Sequence, residues 1–381
     1  MPLPGYRMID SYSKSTAAYK QLAKTTLQLA HVSQLLELFH QSDIPLILMK
    51  GIALVARVYT AAEQRPMRDI DVLVRRTDFE RAAALLQSQG YQFFNKASLW
   101  NEAFARDFMG NVAYSKAGVA FDVHWHPVTM SWFCATTAFD LDGLWTRAIP
   151  TEIAGAPALR LCPEDEVLHL CYHTAVHHGL AHPHGYRDIL GVLRVERDIL
   201  DWSVLAERAR AWRVSVAVWA ALSVARGRMQ DARIRNQELR IRNQESNSQQ
   251  SATGDENHAT RNSQLTTRNS HHDAELIPEF ALDALRVPRW RQRLLRPFVR
   301  RAMTGEAALV SGRMRFLGVL LVDRMHDLPG VVLRGLFPGQ RWLQLRYDLS
   351  PRQAFWRQFT HPLQILARGL GALLRVVIRH S

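Results

Sequence analysis

Two aspartates, Asp69 and Asp71, interrupt the stretch Arg65–Val74, RPMRDIDVLV, whose other residues read largely as a buried strand. Residues two apart on a strand share a face and lie roughly 6.5–7 Å apart. Carboxylates placed that way repel each other, and burial raises the cost of both charges. A divalent cation relieves both penalties, because oxygen donors suit Mg²⁺ or Mn²⁺. Ile70, Val72 and Val74 fall on the opposite face and should meet the core, leaving the acids toward solvent or metal. The same spacing also suits an ordinary exposed sheet face, so the pair needs partners before it implies chemistry.

Candidate partners lie on both sides of it. Asp122 and His124 share one face of the strand-like run FDVHWHP, and Phe121, Val123 and Trp125 share the other. On a neighbouring strand Asp122 would add a third carboxylate; otherwise it is a solvent-facing acid. LMKG, Leu48–Gly51, closes an apolar run of strand length. Gly51 permits close backbone approach to a phosphate, a helix start offers unpaired amides, and Lys50 adds charge. A plain strand-to-helix turn would look the same. Arg65 and Arg68 can meet a triphosphate or simply neutralise the acids.

Histidines form a second concentration. His169, His173 and His177 recur every four residues and share a helical face, with His178, His182 and His184 following. Three readings stay open: a hydrogen-bonded helix face, a substrate wall that His124 would join, or an imidazole metal site. The segment holds no H-E-x-x-H motif. An HD-type phosphohydrolase would need an adjacent His-Asp pair, and His272–Asp273 falls in a polar stretch unsuited to it.

The elements that must position these groups can be read from periodicity. Thr16–Gln41 carries a helical apolar face through Leu22, Leu29, Leu35, Leu36 and Phe39, ended by Asp43 and Pro45. Strands are expected at PLILMK, RDIDVLV, YQFF, VAYSK and VAFDVHWH, the last two joined by an Ala-Gly turn. Thr77-Asp78-Phe79-Glu80 reads as a capping box for a helix that stops at Gly90. AGAPA, Ala154–Ala158, is turn-like within a hairpin or crossing connection. The expected class is α+β: a small mixed sheet with flanking helices over residues 1–160, then a helical domain over 161–230 and 276–381. Between them, 231–275 is rich in Arg, Asn, Gln and Ser, repeats IRNQE, and is expected to be a disordered polar insertion.

The order of glycine turn, D-x-D strand and later single-Asp strand resembles the nucleotidyltransferase fold of polymerase-β-like enzymes and antibiotic nucleotidyltransferases. The blocks LMKGIAL, RPMRDIDVLV and FDVHWHP, continuing into LHLCYHTAVHHG and DWSVLAERARAW, more closely resemble a bacterial group of largely uncharacterised nucleotidyltransferases. The likeness covers roughly Leu35 to Val214. Many relatives carry Gly-Ser at the turn where this chain has Lys50-Gly51. The resemblance implies an enzyme that moves a nucleoside monophosphate from a nucleoside triphosphate, ATP among the candidates, to a hydroxyl acceptor, with pyrophosphate leaving. Asp69, Asp71 and Asp122 would hold Mg²⁺ or Mn²⁺, and Lys50, Gly51, Arg65 and Arg68 would bind the nucleotide. A catalytically silent binding module on the same fold is the alternative from a second class.

Composition bounds the setting. The 381 residues carry a formal net charge of +13, which favours phosphate-bearing partners. Between Val331 and Ser381 there are eight Arg, one Asp and no Lys or Glu, interleaved with Leu, Phe and Trp. Such a segment could pack by its apolar face, lie on an anionic membrane or bind RNA. A third function class follows, a peripheral membrane protein of envelope or polysaccharide production. Three cysteines without a CxxC pair, no signal-peptide pattern and no spanning run lead to a cytoplasmic expectation, peripheral to the inner membrane if the basic segment attaches there.

Overall fold

The computed structural model describes residues 5–95, 100–129, 134–231, 276–304 and 317–378. The chain forms two compact units, Met1–His169 with Arg324–Ser381, and Leu170–Asp323. The polar stretch expected as an insertion lies outside the described residues, apart from Asp231.

The first unit is a mixed sheet with helices, as the sequence pattern implies. Its elements run α1 (Gly5–Gln41), β1 (Leu46–Met49), α2 (Lys50–Leu54), β2 (Ile70–Val74), α3 (Phe79–Ser88) and β3 (Gln92–Phe93), then α4 (Glu102–Phe108), β4 (Asn111–Lys116) and β5 (Val119–His124). They continue with α5 (Leu141–Thr146), β6 (Ile149–Ile153), β7 (Ala156–Arg160) and α6 (Pro163–Tyr172). The strand order is β3-β4-β5-β2-β1-β7-β6. β2 runs antiparallel to β1 and parallel to β5, and β7 runs parallel to β1.

Alternation along the strands gives the sheet two different faces. Leu46 and Leu48 of β1, Ile70, Val72 and Val74 of β2, and Phe121 and Val123 of β5 pack against Leu35, Leu36 and Phe39 of α1 and Phe79, Ala82 and Leu86 of α3. Each large side chain so buried contributes roughly 1.5–3 kcal/mol. The other face carries Ile47, Met49, Asp71, Leu73, Asp122 and His124, all of them buried. The acid-bearing face therefore does not open to solvent as the alternation suggested, and β2 is covered on both sides.

Local signals were mostly obeyed. The β4–β5 hairpin turns on Ala117 and Gly118, both with positive φ, which matches the right-handed twist of the flanking strands. β6 and β7 form the hairpin around Ala154 and Gly155. The capping box is corrected: a 3₁₀ turn precedes α3, its start at Asp78 has no side-chain cap, and Glu80 pairs with Arg106 instead.

Residues 324–381 supply α12 (Leu328–Leu336), α13 (Gln340–Tyr347) and α14 (Pro351–Ile378), which belong to the first unit. The sequence reading grouped them with the helical domain. Trp342 of α13 packs on Phe104 of α4 with ring centroids 5.6 Å apart, and Arg341 pairs with Asp107 at 3.0 Å. An amphipathic helix advertises an apolar face but not the surface it will meet, hence the different grouping.

The second unit is helical. A π-turn (His173–His177) leads to α7 (Pro183–Val195), α8 (Trp202–Ala211) and α9 (215–231), then α10 (Glu279–Ala284) and α11 (Arg289–Thr304). α9 is apolar nearly all round, with Val216, Ala217, Val218, Leu222 and Val224 buried. Asp323 caps it from a distant segment, accepting from the amides of Ser215 and Val216, each at 2.8 Å.

Candidate functional site

The site grows out of strand register. Asp71 on β2 stands opposite Asp122 on β5, and His124, two residues on, shares the face of Asp122. Ligand atoms of Asp71, Asp122 and His124 lie within 4.8 Å of one another, forming a buried cluster able to coordinate a divalent metal. His124 Nε2 is 3.1 Å from Asp71 Oδ1 and 3.6 Å from Asp122 Oδ2. Asn111, on the next strand, donates from Nδ2 to Asp122 Oδ1.

Lys50 completes the charge balance. Its Nζ lies 2.7 Å from Asp71 Oδ1. The chain bends sharply here, with Lys50 at φ 54°, in the left-handed region that non-glycine residues seldom enter. That conformation costs roughly 1–2 kcal/mol, and it places the ammonium on the acid. A Cβ on Gly51 would come within 2.8 Å of Met67 Cγ and 3.5 Å of Arg65 Cζ, so glycine allows the loop carrying Arg65 to close over the bend. α2 has only five residues, so the expected amide cradle at a helix start reduces to this bend and its cations.

The electrostatics follow from burial and neighbours. Burial opposes ionisation of Asp71, but Lys50 and His124 outweigh it and hold the carboxyl well below the usual carboxylate range. Burial likewise opposes charge on Asp122, and His124 overcomes it, again lowering the carboxyl. Burial would strip the proton from His124, yet the adjacent Asp122 carboxylate raises it above an ordinary histidine. His169, buried and near Lys50 and His124, is pushed down to about 3 and stays neutral. The Nδ1 atom of His124 is buried without a hydrogen-bond partner among the described residues.

Of the residues expected from sequence, Asp71, Asp122, Lys50 and His124 converge. Asp69 sits one residue before β2, half-buried, and is not in the close-set group. Arg65 lies beside Gly51 and donates to the Pro66 carbonyl at 2.7 Å, whereas Arg68 is exposed. His173 and His177 belong to the second unit, in a group with His178. One partner of the site, Asn111, is not marked by the sequence. It carries no motif, and its role appears only through the β4–β5 register. His169, expected on the histidine face, is buried at the end of the first unit, where Lys50, His124 and Asp71 act on its charge. A second His-Asp pair, His326–Asp327, lies in an exposed 3₁₀ turn and joins no close-set metal group among the described residues.

A family model described as "Uncharacterised nucleotidyltransferase" matches residues 12–230. A solution structure of the antibiotic-resistance factor ANT(2'')-Ia is 14% identical, covering 49% of this chain and 91% of its own, with a TM-score of 0.34. A crystal structure of an antigenic nucleotidyltransferase-like protein from Paracoccidioides brasiliensis is also 14% identical, covering 44% and 75%, with a TM-score of 0.30. No curated protein matches the chain.

Proposed function

The chain belongs to the family of uncharacterised nucleotidyltransferases, and we propose that it transfers a nucleoside monophosphate from a nucleoside triphosphate to a hydroxyl acceptor. The observation that carries this reading is the in-register pairing of Asp71 and Asp122, two carboxylates buried on one sheet face. Burying two acids side by side is costly unless positive charge arrives, and Lys50 and His124 supply it here. The donor set also fits a divalent ion: two carboxylates suit Mg²⁺, and the imidazole beside them suits Mn²⁺ as well. When bound, such an ion would neutralise charge on the α-phosphate and the leaving pyrophosphate.

The remaining work falls to side chains. Asp71 and Asp122 hold the ion, with Asp69 at the strand entrance as a further carboxylate. Lys50 exchanges Asp71 for phosphate oxygens, and Arg65 and Arg68 extend that positive surface. Asp122, steadied by Asn111, orients the acceptor hydroxyl and takes its proton as the new O–P bond forms and the bond to pyrophosphate breaks. Positioning and charge neutralisation provide most of the acceleration.

A second reading has its own support. Asp71 and Asp122 are only 6% and 8% exposed, and Lys50 and His124 already neutralise them. A silent module would keep the fold by this internal charge balance alone. Incubation with labelled ATP, CTP, GTP and UTP, Mg²⁺ or Mn²⁺ and cell extract separates the two. Label transfer that Asp71→Asn and Asp122→Asn abolish supports the enzyme; no transfer by the native protein with any nucleotide supports the module.

For location, the favoured reading is a cytoplasmic protein attached peripherally to an anionic membrane. Phe355, Phe359, Leu363 and Leu366 form a row on α14 at helical spacing, flanked by Trp356, and are 45%, 61%, 67%, 52% and 69% exposed, in that order. The arginine excess of the same segment complements anionic headgroups.

A further inference from the structure

We infer that His173, His177 and His178 form a binding site for a divalent transition-metal ion of the zinc type, separate in chemistry from the paired carboxylates. Their ligand atoms lie within 4.8 Å of one another. The rings of His173 and His177 stack with centroids 4.7 Å apart, and His178 stands edge-on to both, at 4.7 and 4.9 Å.

Backbone geometry explains the convergence. On a regular α-helix, a residue five positions on lies roughly 140° around the axis, so His178 would turn away from His173. Here the segment is a π-turn, and the His178 amide donates to the His173 carbonyl at 3.2 Å, five residues back. The wider turn brings positions i, i+4 and i+5 onto one face. π-Turns are uncommon and concentrate at functional sites.

The turn is also held in place. The Leu180 amide closes it on the Thr174 carbonyl at 3.0 Å. Thr174 is buried, and a Cβ on Gly185 would come within 2.3 Å of its Oγ1, so the start of α7 packs directly on the turn. His182 stacks on His178 with centroids 4.3 Å apart, and its Nδ1 accepts from the Gly185 amide at 3.3 Å. The three ligand side chains thus stand on a fixed backbone, with His177 exposed and His173 and His178 half-buried. Tetrahedral zinc needs nitrogen atoms roughly 3.3 Å apart, a modest contraction from the spacing seen.

The donor chemistry selects the ion. All three donors are imidazole nitrogens, which suit Zn²⁺, Co²⁺, Ni²⁺ or Cu²⁺ and disfavour Mg²⁺. An ion there would pin the turn against the start of α7.

Equilibrium dialysis of the full chain against Zn²⁺, in excess Mg²⁺ to occupy the carboxylates, tests this. About one zinc per chain should be retained, and Co²⁺ in its place should give the visible absorption of a nitrogen-ligated site. His177→Ala, at an exposed position, and His173→Ala should each weaken retention at least about tenfold, while Asp71→Asn should leave it unchanged. Native protein that retains no zinc, histidine variants that retain it normally, or an Asp71→Asn variant that loses it would each overturn the site. None of these outcomes depends on nucleotide transfer.

Discussion

Asp71 and Asp122 are register partners on the parallel strands β2 and β5, so their carboxylates leave the sheet on the same face and at the same level. His124 bridges toward both, and Lys50 reaches Asp71 from the adjoining bend. This one pairing decides whether separated acids in the chain can act together, and the consequences can be measured.

Asp71→Asn and Asp122→Asn each remove one anionic donor with little change of shape. Nucleotide transfer is expected to fall by about 10²–10³-fold or more in both. Asp71→Asn also leaves the ammonium of Lys50 without its carboxylate, so chemical denaturation should show a loss of stability on the order of 3 kcal/mol, reduced where Lys50 can swing toward solvent. Normal transfer by either variant would remove the acids from the mechanism.

Lys50 holds the place next to Asp71 that an incoming cation would contest. Lys50→Met should therefore tighten Mn²⁺ binding to nucleotide-free protein by about tenfold, as a like charge on the order of 1–2 kcal/mol disappears. The same variant should lose transfer, because the triphosphate loses its nearest cation. Calorimetric titration with Mn²⁺ reads the first effect and the labelling assay the second. Weaker Mn²⁺ binding would show that Lys50 supports the ion rather than competing with it.

The exposed row on α14 should hold the protein on vesicles containing phosphatidylglycerol and not on neutral ones. Trp356→Ala with Phe359→Ala should weaken this binding by about tenfold or more, since each aromatic burial is worth roughly 1.5–3 kcal/mol. Sedimentation with vesicles gives the answer. Retention on RNA with no preference for anionic vesicles would assign the surface to nucleic acid.

Asp323 caps α9 through two amides while burial pushes its carboxyl above the usual value. Asp323→Ala should cost the second unit about 1–2 kcal/mol. A raised carboxyl favours folding in its protonated form, and that contribution is fully present below the ordinary value of 3.8. It is lost as pH rises through the elevated folded value. The native protein should accordingly lose stability relative to Asp323→Asn over that rise, in urea titrations taken across the acid range. A difference that grows with pH in the native protein's favour would reverse the assignment.

Much of this was legible in the chain because it is local. The apolar repeat of α1, the Ala-Gly turn of the β4–β5 hairpin and the alternation about Asp71 and Asp122 depend on residues a few positions apart. Periodicity reports such placements directly. The D-x-D spacing, however, nominated Asp69 beside Asp71, and Asp122 only if its strand lay alongside; strand pairing sets Asp122 and His124 against Asp71. Register between residues 51 positions apart is set by packing of both sheet faces, which no short window contains. The same holds for α13, whose apolar side met α4, and for Asn111, which became a partner of Asp122 through its neighbouring strand. The sequence by itself determined which residues were chemically able to act and which elements would carry them. The tertiary structure alone decided which of them face one another, because that depends on long-range burial competing among many apolar faces of similar strength.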